Sequence, residues 1–182
     1  MESMDKPVWF LDIDGVINVP PPFSYDTGNN PKKRYATHPV WTKTVIQEYD
    51  IMYAKRVIDF INRMHTSGLI QIQWLTTWNQ YAVTDFAPEV GLPVFPVAGS
   101  KGSEFIYPVE NWWKYMAVEA VAGKRDFIWT DDDLRKGFAA PLEKKNREAG
   151  FESLVIAPHQ SRGLNNLQLR EIEEFATRVS SR

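Results

Sequence analysis

Val8-Trp9-Phe10-Leu11-Asp12-Ile13-Asp14-Gly15-Val16 is the stretch on which the fold turns. Four apolar residues in a row, bounded by Pro7 and Gly15, read as a strand buried on both faces. Two carboxylates appear where that strand must end. Their i, i+2 spacing puts both on the same side of an extended chain, and Gly15 lets the backbone turn sharply away. Ligands in open α/β sheets bind in the crevice outside such tips, which makes Asp12 and Asp14 candidate site residues. Asp-x-Asp-Gly also occurs in turns and calcium loops, so the rest of the chain decides.

Upstream of any motif, composition sets bounds. The 182 residues suffice for one domain with a sizeable core, spanning 1–182. Hydrophobic residues make up 43% and charged residues 24%, as in an ordinary soluble globular protein. A formal net charge of -2 carries no overall basic field of the nucleic-acid-binding kind. The absence of cysteine excludes disulfides, thiolate zinc sites and cysteine nucleophiles. No apolar run approaches the ~18 residues of a membrane span, and the N-terminus lacks the pattern of a signal peptide. The expectation is a cytoplasmic protein with no membrane attachment and no obligate protein partner.

Outward from the first strand, residues from Asn18 to about Asp50 break any helical period through Pro20-Pro21-Pro22, Gly28-Asn29-Asn30-Pro31 and Lys32-Lys33-Arg34. A structureless loop that long is improbable in a compact domain. The β-rich segment Val40 to Tyr49 suggests a hairpin, pairing with Arg34 to Thr37, that forms a small flap over the site across about 18–50. Met52 to His65 has helical 3-and-4 spacing and stops at Gly68. A second strand runs from Leu69 to Leu75 and ends in Thr76-Thr77-Trp78-Asn79. A short helix precedes Pro88, Val94 to Ala98 reads as a third short strand, and Trp113 to Val121 carries an apolar helical stripe. Phe127 to Thr130 is a strand leading into Asp131-Asp132-Asp133. A helix over Leu134 to Ala149, disturbed by Pro141, precedes a last strand, Leu154 to Ala157. Asn165 or Asn166 caps a final helix. Alternating strands and helices imply an α/β fold: a three-layer, Rossmann-like parallel sheet with helices on both faces and no large cap.

Four features then fall at three strand tips and one helix start: Asp12/Asp14, Thr76, Lys114 and Asp131/Asp132. Each alone has a plain structural explanation. Together, four carboxylates converge only with a cation and a basic side chain to offset their repulsion. An all-oxygen acidic pocket suits Mg²⁺, which also binds phosphate oxygens.

This order resembles the haloacid dehalogenase (HAD) superfamily of aspartate-nucleophile phosphohydrolases. The match is carried by Phe10-Leu11-Asp12-Ile13-Asp14-Gly15, Gln73-Trp74-Leu75-Thr76, Lys114, and Ile128-Trp129-Thr130-Asp131-Asp132. Trp74-Leu75-Thr76-Thr77-Trp78, Trp112-Trp113-Lys114 and Trp129 to Asp133 also resemble a narrower group. That group is the small HAD domain of phage and actinobacterial proteins and of multidomain RNA-repair proteins. The resemblance implies Asp12 as nucleophile, Asp14 as general acid and base, Thr76 as a phosphoryl hydrogen-bond donor and Lys114 as a fixed positive charge. It implies Mg²⁺ held by Asp12, the Asp14 backbone carbonyl and the Asp131/Asp132 pair, with Asp132 preferred as the direct ligand and Asp133 as a helix cap. Lys101, in a Gly/Ser loop, is the alternative to Lys114.

The implied activity is that of a Mg²⁺-dependent phosphatase. Its phosphorylated substrate is a small molecule, a nucleotide or a nucleic-acid end, with Thr77, Trp78 and Asn79 as the substrate-facing residues. The Lys32 to Arg34 cluster reads first as a solvated face, and as a phosphate-facing patch if the substrate is a nucleic-acid end. Two alternatives belong to other classes. A receiver-like phosphoacceptor domain uses similar residues, but its acidic pair comes first in the chain and here it comes last. A non-catalytic module that binds a phosphorylated end is the other.

Overall fold

A computed structural model describes residues 6–19, 41–99 and 112–182. Its centre is a parallel sheet of β1 (Val8–Leu11), β4 (Gln71–Trp74), β5 (Phe127–Thr130) and β6 (Ser153–Ile156), in the order β4-β1-β5-β6. β1 lies between β4 and β5, and its four residues are fully buried, as the uninterrupted apolar run predicts.

The alternation of β1 divides the core into two layers. Trp9 and Leu11 enter one hydrophobic cluster with α1 (Lys55–Ser67) and α5 (Asn166–Val179), and Val8 and Phe10 enter the other with α3 (Trp112–Ala122) and α4 (Ala140–Glu148). The helices therefore cover both faces of the sheet, and all four strands point their C-terminal ends the same way. Thr130 is a fully buried polar residue within this packing. Its hydroxyl accepts from Trp9 Nε1 at 3.0 Å, while its carbonyl accepts from Asp12 N at 3.1 Å, which locks the tips of β1 and β5 together.

A second, two-stranded sheet pairs β2 (Trp41–Ile46) with β3 (Tyr49–Ala54). The pairing expected with Arg34 to Thr37 lies outside the described residues. Most of the 18–50 flap also lies outside them. Its turn is made by Gln47 and Glu48, both at positive φ (47° and 71°), where Asn-Gly would be the usual signal. Ladder pairing of Met52 and Ala54 with Lys43 and Trp41 also delays the following helix: α1 starts at Lys55, not at Met52.

Other boundaries move for local reasons. Val94 to Ala98 forms a single bridge to β4, with Trp74 N bonding Pro96 O and Ala98 N bonding Trp74 O, because prolines at 93 and 96 cannot donate to a ladder. The short helix expected before Pro88 is a π-helical segment over Ala82–Phe86, and it runs directly into α2 (Ala87–Val90), with Pro88 in the first turn of α2. Pro141 likewise starts α4, so the expected helix over 134–149 is confined to Ala140–Glu148. Asn165 caps α5 through a reciprocal capping box with Gln168. Among the described residues, no helix is long and apolar enough to cross a membrane.

Candidate active site

The strand tips bring the inner residues of the site into direct contact. Lys114 projects from the first turns of α3 and is 3% exposed; its Nζ lies 2.6 Å from Asp12 Oδ2 and 2.7 Å from Asp131 Oδ2. The other Asp12 oxygen accepts from the Ile13 backbone N–H at 2.7 Å, and the other Asp131 oxygen accepts from Asp133 N at 3.0 Å. Asp133 therefore supports the Asp131 turn. It is not the cap of α4, which begins only at Ala140 with Ala139 before it.

Asp132 completes the group. One carboxylate oxygen each from Asp12, Asp131 and Asp132 lie within 4.8 Å of one another. The close approach depends on Gly15, at φ 68°, where an added Cβ would fall 2.2 Å from Asp132 Cγ. Like charges at that separation repel by about 3 kcal/mol per pair at an effective dielectric near 20.

One ammonium facing this set leaves negative charge uncompensated, and the ionisation of the site reflects it. Burial, with the Asp131 charge beside it, pushes the Asp12 carboxyl up to about 7 against the pull of Lys114. Asp132 is pushed up to about 6, by burial first and then by Asp131 and Asp133. Burial alone would draw the Lys114 ammonium down, but Asp12 and Asp131 together outweigh it and hold the group above its ordinary value. A hard divalent cation fits this donor set: the ligands are all oxygen, and they carry more negative charge than Lys114 can balance.

Asp14 is placed differently. Its carboxylate is exposed and stands outside the three-carboxylate cluster. Asn18 Nδ2 donates to Oδ1 at 2.8 Å, and Trp78 Nε1 donates to Oδ2 at 2.8 Å. Asn18 was not among the residues singled out by the sequence. It is 5% exposed, and its Oδ1 accepts from Met52 N at 3.0 Å. Its signal lay only in its spacing, four residues after Asp14 in a turn closed by the Gly15 N–H on the Asn18 carbonyl.

Thr76 is fully buried just past the tip of β4, and its hydroxyl accepts weakly from Trp78 N at 3.4 Å. Of the residues expected to meet a substrate, Thr77 is exposed and Trp78 is turned toward Asp14. Asn79 folds back into its own turn at φ 48°, with Nδ2 on the Thr77 carbonyl at 3.2 Å. Lys101 and the Lys32 to Arg34 cluster lie outside the described residues. Comparison with protein-family models gives no match, and comparison with curated proteins and with solved structures gives none either.

Proposed function

We propose that this chain is a HAD-type phosphohydrolase that cleaves phosphomonoesters through an aspartyl-phosphate on Asp12. The observation that carries the reading is Lys114 Nζ held between Asp12 and Asp131, with Asp132 in reach of both. A buried lysine that close to two carboxylates fixes a positive charge where a phosphate oxygen would arrive.

In the first step an Asp12 oxygen attacks phosphorus, the ester P–O bond breaks, and Asp14 gives a proton to the departing oxygen. In the second, water attacks the same phosphorus and loses a proton to Asp14, the acyl-phosphate bond breaks, and phosphate leaves with Asp12 restored. Thr76 holds a phosphoryl oxygen through its hydroxyl proton. Asp12, Asp131 and Asp132 would hold Mg²⁺, which when bound supplies charge neutralisation at the phosphoryl oxygens. Asp132 suits direct ligation, because its carboxylate is in reach of Asp12 and Asp131 and Lys114 is hydrogen-bonded to those two.

The testing experiment is turnover of 4-nitrophenyl phosphate with and without Mg²⁺, on wild type and Asp12→Asn. Metal-dependent turnover lost in the variant is the expected result. Wild-type turnover in Asp12→Asn, or none in the parent protein, would overturn the proposal.

A further inference from the structure

An exposed aspartate ordinarily samples several rotamers and gains little by stopping. Asp14 is exposed yet has a hydrogen-bond donor on each oxygen, Asn18 on one and the Trp78 indole on the other. Both donors lead back to the same strand. The Met52 N–H on Asn18 Oδ1 settles which end of that buried amide faces Asp14. The Trp78 ring lies 6.0 Å from the Tyr49 ring, centroid to centroid, and 5.7 Å from that of Phe86. Met52 and Tyr49 both belong to β3.

We infer that the β2–β3 hairpin aims the Asp14 carboxyl through Asn18 and Trp78, which act as positioning residues for proton delivery to the leaving oxygen. This rests on the phosphohydrolase reading above. Asn18 and Trp78 are neutral donors, so they orient Asp14 without adding charge beside the leaving group. Orientation matters most where the proton matters most. An alkoxide leaving group takes the Asp14 proton as the P–O bond breaks, whereas 4-nitrophenolate departs without one. Misaiming Asp14 therefore slows an alkyl phosphate more than an activated aryl phosphate. The second step is shared by all substrates, so the discriminating quantity is kcat/KM, which ends with loss of the leaving group.

The experiment measures kcat/KM for ethyl phosphate and for 4-nitrophenyl phosphate with the full chain in Mg²⁺. Trp78→Phe, which keeps a ring and removes the N–H, lowers the ethyl-to-aryl ratio about tenfold or more. Tyr49→Ala lowers it in the same direction by about threefold, and Tyr49→Phe, which keeps the ring contact, restores it. Tyr49 is 65% exposed, so Tyr49→Ala decides the matter even where Trp78→Phe does not fold. Equal losses on both substrates, or an unchanged ratio, overturn the positioning role and leave the phosphohydrolase reading intact. Absence of turnover on both substrates by the parent protein overturns that reading itself.

Discussion

Asp12 and Asp14 leave the same strand two residues apart, yet the regions around them are built on opposite principles. The inner region (Asp12, Lys114, Asp131) is buried, charged and tightly ion-paired. In the outer region Asp14 is exposed and held by two neutral donors, Asn18 and Trp78, which in turn touch a hairpin outside the main sheet through Met52 and Tyr49. On the proposed phosphohydrolase reading, the difference separates two tasks. A nucleophile and its counter-charge need a fixed low-dielectric frame, whereas a proton-transfer group needs orientation and access to a leaving group and to water.

The largest effect comes from breaking the inner region. Lys114→Met leaves two buried carboxylates facing each other without a cation, and losing one partner of a buried ion pair costs about 3–5 kcal/mol. Urea unfolding in metal-free buffer should show a loss of that size. Adding Asp12→Asn to Lys114→Met removes one of the two charges and should recover part of it. A double variant no more stable than the single one would mean that lysine packing, not charge, holds the strand tips.

Gly15→Ala strikes the join between the regions. At φ 68° a Cβ costs about 1–2 kcal/mol, and the new methyl would displace the Asp132 carboxylate it meets at 2.2 Å. Stability should fall by about that amount, and Mg²⁺ affinity by calorimetry should fall more than for an Ala placed at Gly91, which has nothing within 4 Å. Equal metal affinity in the two variants would remove Asp132 from the proposed cation site.

Both regions were visible in the sequence to unequal degrees. The inner one was legible because its residues end strands whose apolar runs announce themselves, as β1 and β5 do with every residue buried. Lys114 followed from its place at a helix start. The outer region was not, because its supports are turn-bound and long-range. Asn18 acts through Met52, 34 residues away, and Trp78 through Asp14, 64 residues away. The hairpin that ties them together turns on Gln47-Glu48, which carry no glycine or asparagine to mark a left-handed turn. Asp133 misled in another way: an acidic residue after a strand suggests a cap, but the next helix begins seven residues later and Asp133 serves Asp131 by its backbone N–H.

A further effect should appear on pH. Asp12 and Asp132 are raised from the ordinary carboxyl value of 3.8 to about 7 and about 6, so between pH 4 and 7 the folded chain holds more protons than the unfolded one. The metal-free protein is then most stable below pH 4 as far as these groups are concerned, and it loses that contribution as pH rises through 6 and 7. A cation replaces the protons, so Mg²⁺ binding near pH 6 releases them. Calorimetry in buffers of different ionisation enthalpy measures the release. No release at pH 6 would mean that both carboxyls are already ionised and Lys114 alone balances the site.

Asp14→Asn should have the least effect on the fold and the most selective effect on chemistry. The carboxylate is exposed, so unfolding stability should stay within about 0.5 kcal/mol of wild type. The Asn carbonyl keeps an acceptor for Trp78 or Asn18, which preserves the local turn. Proton transfer is what disappears, and general acid catalysis is worth about 10²–10⁴-fold. Hydrolysis of ethyl phosphate should fall by that order, whereas burst formation of 4-nitrophenolate should persist, because its leaving group needs no proton. The aspartyl-phosphate would then accumulate, since the same residue is needed to deprotonate water in the second step. A burst in 4-nitrophenolate release followed by slow turnover is the signature. A variant that is destabilised by several kcal/mol, or that loses the burst, would place Asp14 with Asp12 in the charged frame and dissolve the contrast between the two regions.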